Sequence, residues 1–334
     1  MCLVLLDRSV FANELDYPDA IYRTVDFVVL DQDSPPGATA AWKSISLPYH
    51  SNLEKNRSFN KVSVHWIRLS LSKVPIRSDM PQVVYIWRHN IRLKVFLGQD
   101  LIGGTSTNML GRDTISWNTP LLIDLPRQLD SYLYFRVESG PSGALLSPVM
   151  LGEREILLPL YETRYFWQVE AAKWSFGLGL VLGFLSLWIW SNRRQDSLYW
   201  QFAAMSVSAS LSFLFMFIEF IPFDLRFWLT IIHSAMDWGN YFLVLFTLNA
   251  LDLRMLIFRN GMFAIAVFAT LSHLFVPDTH FFELAYFFLW LETLGIVILV
   301  AIIFWQTLRY GGATRKWFTA TFSGVIALVL RIFI

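Results

Sequence analysis

The sequence predicts an all-β sandwich followed by an all-α transmembrane helical bundle, and three observations predict it. From Trp174 to Ile334 the chain holds five apolar runs long enough to cross a bilayer and a sixth still running at the last residue. A membrane helix takes about 20 mostly apolar residues. Before Trp174 the chain is polar, alternates in short strand-like segments and is punctuated by Pro and Gly. Charges gather in that first part and at the ends of the apolar runs. The expected division is an exposed β domain over residues 1–165 and a polytopic bundle over residues 166–334.

Composition narrows the function. Hydrophobic residues make up 55% of the 334 and aromatics 16%, too rich for an ordinary soluble enzyme. A net charge of +1 provides no large basic surface for nucleic acid. One cysteine, Cys2, excludes an intrachain disulfide and a Cys-based zinc cluster. No phosphate loop, dinucleotide fingerprint or His-Glu-x-x-His motif is present, so no catalytic residue, cofactor or metal is expected. Leu3-Val4-Leu5-Leu6 is ended by Asp7, short of the roughly 7–15 apolar residues of a signal-peptide core. The start is expected to be truncated or mis-assigned, the alternative being that the first membrane helix itself drives export, with truncation favoured; Leu328 to Ile334 reads as a helix cut before its end.

Within the first part, Ile21 to Leu30 is β-branched and apolar, and Ser34-Pro35-Pro36-Gly37 stops it. In Lys61 to Leu71, Val62, Val64 and Trp66 share one face and Ile67, Leu69 and Leu71 the other. That change of parity predicts either a bulge near Trp66-Ile67 or a strand buried on both faces. Arg92 to Leu97 alternates, with Leu93, Val95 and Leu97 inward, Gly98-Gln99-Asp100 turning the chain and Gly103-Gly104 closing the second arm. Tyr132 to Val137 repeats the pattern with Leu133, Phe135 and Val137 inward. No helical period is read before residue 165.

Taken in order, HWIRLSL, RLKVFLGQDLIGG, YLYFRVES and GALLSPVMLGE resemble the periplasmic jelly-roll domain of bacterial seven-transmembrane receptors with diverse intracellular signalling modules. Trp66 and Arg68, then Val95 to Gly103, Leu133 to Val137 and Val149 to Gly152 carry the resemblance. Gly98-Gln99 stands where that family usually has Asn-Gly. The resemblance implies a jelly-roll sensor for a carbohydrate or related small molecule, with output through a histidine kinase or diguanylate cyclase outside this chain.

The candidate ligand-binding residues are Trp66, Arg68, Trp87 and Trp117, with Trp42 as a further aromatic, because aromatic faces suit the apolar faces of sugar rings. Tryptophan is equally a large core residue, and Arg68 equally an ion-pair partner. His65, Asp124 and Glu138 show no ligand spacing.

In the second part, Tyr161, Tyr165, Phe166 and Trp167 cluster where an interfacial aromatic belt belongs. The spans are expected at Trp174–Trp190, Leu198–Phe217, Phe227–Leu248, Leu256–Phe275, Phe281–Trp305 and from Trp317 onward. Gly179 and Gly183 form a small-xxx-small pair that permits close helix packing. Arg193 and Arg194, then Arg254 and Arg259, then Arg309, Arg315 and Lys316 mark the first, third and fifth connectors. By the positive-inside rule those connectors face the cytoplasm and the β domain lies outside the bacterial inner membrane. Ionisable residues within spans are functional candidates by default. His233 and Asp237 lie four apart on one helical face, Glu292 is mid-span, and Arg331 is placed to pair with either carboxylate as a polar switch. The expected partners are membrane lipid, an extracytoplasmic small-molecule or carbohydrate ligand and a second copy of the chain. The alternative is a transporter or acyltransferase-like membrane enzyme carrying an accessory β domain.

Overall fold

The computed structural model describes residues 21–37, 39–50, 63–71, 80–89, 92–105, 119–127, 131–139, 143–218, 221 and 223–310. They fall into two compact units, one comprising the strands and the chain that follows them as far as Lys173 together with Phe215–Arg226, the other Trp174–Leu214 and the helices from Phe227 onward.

The strand unit has twelve strands: β1 Ile21–Tyr22, β2 Thr24–Val29, β3 Lys43–Ser46, β4 Tyr49–His50, β5 Ser63–Ser70, β6 Gln82–Ile86, β7 Arg92–Leu97, β8 Asp100–Gly104, β9 Leu121–Asp124, β10 Tyr132–Ser139, β11 Leu145–Leu146 and β12 Val149–Glu153. A six-stranded sheet in the order β3-β2-β5-β10-β7-β8 faces a four-stranded sheet in the order β1-β12-β6-β9, with β11-β4 as a separate pair. The core between them comes from both sheets: Ile67, Leu93, Val95, Leu133, Phe135 and Val137 from the larger, Val84, Ile86, Ile123, Val149 and Leu151 from the smaller. Period-2 alternation puts these residues on one face of each strand, and burying that face on both sides makes the sandwich. The expected strand at Ile21 is divided at Arg23, so that β1 joins the smaller sheet and β2 the larger.

Strand β5 settles its own ambiguity. It pairs with β10 without a register break, from Ser63↔Ser139 to Ser70↔Tyr132. Ile67 and Leu69 enter the core, while Val64 and Trp66 pack with Phe96 and Tyr134 on the opposite face. The strand is buried on both faces and has no bulge. Gly98 turns β7 into β8 at φ 58°, and Gln99 is not left-handed. That is the type II′ pattern, where Asn-Gly would give type I′. Both match strand twist, so Gly98-Gln99 serves the hairpin as Asn-Gly would.

A helix was not expected before residue 165, yet α1 spans Arg154–Tyr165, with Pro159 inside it. Its buried residues, Leu157 and Arg164, are seven apart and so lie on one face. One of the two is charged, so hydropathy does not report the period. A π-helical turn, Phe166–Glu170, joins α1 to α2 at Ala171–Asn192, making one helix of 39 residues.

The remaining helices are α3 Ser197–Phe217, α4 Leu225–Ala250, α5 Leu256–Phe275 and, after a 3-10 turn at Asp278–His280, α6 Phe281–Tyr310. Four of the described helices are long and apolar enough to cross a membrane: Arg154–Asn192, Ser197–Phe217, Leu256–Phe275 and Asp278–Arg309. Helix α4 has the length, at 26 residues, but its apolar run is interrupted by His233, Asp237 and Asn240. Gly179 and Gly183 set the approach of α2 to α3. A Cβ at Gly179 would collide with Ser210, and one at Gly183 would lie 2.9 Å from Val207 Cγ2. The start of the expected sixth span, Trp317, lies outside the described residues.

Candidate functional site

Two constellations qualify, one in each unit. In the strand unit it is the face of the six-stranded sheet turned away from the core. Cross-strand register sets Asp26, Arg68, Tyr134 and Phe96 in one row and Val28, Trp66, Arg136 and Lys94 in the next. Arg68 Nε donates to Asp26 Oδ2 at 2.9 Å, and its guanidinium lies 4.3 Å from the Trp42 ring and 4.9 Å from that of Tyr132. A guanidinium between two aromatic faces is held by cation–π attraction as well as by its ion pair. Arg136 donates to Asp33 at 3.0 Å, to Glu138 and to the Gln32 carbonyl, and Arg92 reaches Glu138 at 2.9 Å. These bonds tie the segment after β2 across the sheet.

The sequence-derived ligand residues divide accordingly. Trp66 and Trp87 are 0% and 1% exposed, packed respectively against Phe96 and beside Arg164. Arg68 is partly exposed, and the accessible rings beside it belong to Trp42 and Tyr132. Trp117 lies outside the described residues. Tyr132 was missed because parity alone assigns it outward without showing that Arg68, two strand positions diagonal, lies against it.

His89 of the same unit is buried at 1% exposure and bridges to Leu146. Burial lowers its pKa from 6.5 to about 4.

In the helical unit, α4, α5 and α6 converge on a buried polar cluster. Asp237 Oδ2 lies 3.0 Å from His273 Nε2, with the side chains 5% and 1% exposed. Asn240 donates to Glu292 Oε2 at 2.7 Å. The His233 ring is 5.5 Å from that of His273 and is enclosed by Phe281 and Phe282. Thr230 donates to the His273 carbonyl at 3.2 Å and Trp238 to Thr270 at 3.1 Å. Expected residues His233, Asp237 and Glu292 are therefore brought together, with Asn240 and His273 completing the cluster. Arg331 lies outside the described residues. His273 was legible as the one histidine of its apolar run, by the same rule that singled out Asp237. Among the described residues, no three His, Cys, Asp or Glu side chains are grouped to hold a metal ion.

No family model matches the chain, and no curated protein does.

Proposed function

We propose that the chain is the sensing and membrane part of a bacterial transmembrane receptor. Its jelly-roll domain lies outside the inner membrane and binds a carbohydrate or related small molecule. Six spans relay the event to a cytoplasmic output such as a histidine kinase or diguanylate cyclase, with two copies of the chain working as a pair. The observation that carries this reading is the passage from β12 to α1. Glu153 ends the strand, Arg154 begins the helix, and that helix continues to Asn192. Helix α1 packs on the smaller sheet through Leu157 against Gly152 and Tyr161 against Tyr85. Ligand binding biases a two-state equilibrium by its differential affinity for the states. The cluster of His233, Asp237, Asn240, His273 and Glu292 is the element of the bundle suited to two discrete arrangements.

The test uses the whole chain in lipid nanodiscs. Oligosaccharides that raise its melting temperature are identified, and hydrogen exchange over α2 is compared with and without them. A ligand that protects the sandwich and changes exchange in α2 supports the receptor. Ligand transport into vesicles by a chain lacking the sandwich would replace it with a transporter.

A further inference from the structure

At the turn between α4 and α5 the helical unit has a pocket of about 270 Å³ lined by Asn249, Asp252, Arg254, Leu256 and Arg259 among others. We propose that this pocket binds a phosphoryl anion, either the phosphodiester of a lipid headgroup or a soluble phosphate. The inference is independent of the receptor reading.

The pocket is built by the end of α4. Leu253 N–H reaches the Leu248 carbonyl at 2.8 Å and Asp252 N–H the Asn249 carbonyl at 3.2 Å. Those two bonds close the helix in the Schellman manner, with Asp252 at φ 50° where glycine is usual. The chain then turns back at once, so that Arg254 and Arg259 line the same cavity. Two guanidinium groups and one carboxylate leave the lining with a net single positive charge, which complements a phosphodiester monoanion. Guanidinium offers paired donors to phosphate oxygens, the geometry in which arginine surpasses lysine.

The volume lies at or below the roughly 300–1,000 Å³ of drug-sized sites, so it suits a headgroup or a small phosphate ester. Leu256 of the lining is 59% exposed. A lipid would set its phosphate between the arginines and its acyl chains beside Leu256.

Binding is tested on the full chain, purified in detergent and returned to nanodiscs. Retained lipid is read by native mass spectrometry, and affinity for dihexanoyl phosphatidylglycerol, dihexanoyl phosphatidylcholine and inorganic phosphate by calorimetry. The variants are Arg254→Gln/Arg259→Gln and Arg254→Lys/Arg259→Lys, the second keeping the charge that orients the helices. Arg193→Gln/Arg194→Gln is the control for unspecific attraction. The site predicts that both pocket variants weaken binding at least about tenfold while the control does not, since lysine offers no paired donors. Binding confined to the lipids identifies a headgroup, and competition by inorganic phosphate identifies a soluble ligand. Affinities unchanged in the lysine variant, an equal loss in the control, or no phosphoryl ligand bound by the wild type would overturn the site.

Discussion

His273 on α5 and Asp237 on α4 meet at 3.0 Å in a setting where neither side chain is more than 5% exposed. A helix pair joined this way loses more when one partner is removed than when both are replaced. His273→Ala is expected to destabilise the protein by about 1–2 kcal/mol, the upper range for polar contacts between membrane helices. Asp237→Asn, which keeps an acceptor for the imidazole, should cost less. Thermal unfolding in detergent measures both. Equal and negligible losses would mean that the pair is incidental.

The same cluster predicts coupling between α4 and α6. Asn240→Ala and Glu292→Ala each break the 2.7 Å contact between the two side chains. In a double-mutant cycle they should be non-additive by about 0.5–1.5 kcal/mol, because residues sharing one network couple. Additive losses in the melting series would separate Glu292 from the network.

The glycines of α2 carry their own control. Gly177 has open space where a Cβ would be, whereas Gly179 and Gly183 abut Ser210 and Val207. Gly177→Ala should be neutral or stabilising by up to about 1 kcal/mol through helix propensity. Gly183→Leu should lower thermal stability by about 1–3 kcal/mol through overpacking. Similar melting temperatures for the two variants would exclude a close α2–α3 contact.

His89 makes the strand unit sensitive to acid. Its folded pKa, about 4, lies below the unfolded 6.5. The unfolded chain therefore binds more protons between those values, and stability rises with pH there. The contribution is present above about pH 6.5 and is lost as pH falls toward 4, with no further loss below. A shift of this size corresponds to a loss on the order of 3 kcal/mol. His89→Asn should flatten stability against pH across that window, as read by hydrogen exchange at β6 and β12. An unchanged pH profile in the variant would remove His89 as the cause.

The hairpin offers a milder test. Gly98→Val should cost about 1–2 kcal/mol, since φ 58° is strained for a side chain with a branched Cβ. Replacing Gly98-Gln99 by Asn-Gly should be nearly neutral in thermal melting, because one hairpin turn type replaces another. A large loss in the Asn-Gly variant would show that the turn is held by contacts beyond its own geometry.

Local alternation was enough to read β7 and β10, turn residues enough to place β8, and hydropathy enough to read α5 with both its ends. Both signals are properties of one element at a time. Helix α1 escaped because its buried residues are Leu157 and Arg164, which satisfy helical spacing but not apolarity. Trp66 and Trp87 drew attention as aromatics, although whether an indole is open or covered depends on what crosses it from another strand or helix. Asp237 and Glu292 were legible by their cost in an apolar helix. Which histidine reaches Asp237 was not, because His273 is brought there only by the packing of α5 on α4.

Strand β1 pairs with β12, Ile21 with Met150, so the smaller sheet closes across nearly the whole domain. Such distant pairing places the unit among folds of high contact order, which reach the native state in about milliseconds to seconds. During synthesis the first strand must wait for the last, and the last is followed at once by the helix that continues to Asn192. Completion of the sandwich is thereby tied in time to the emergence of the first span. A chain stalled before Glu153 would leave the β1 edge unpaired and open to self-association.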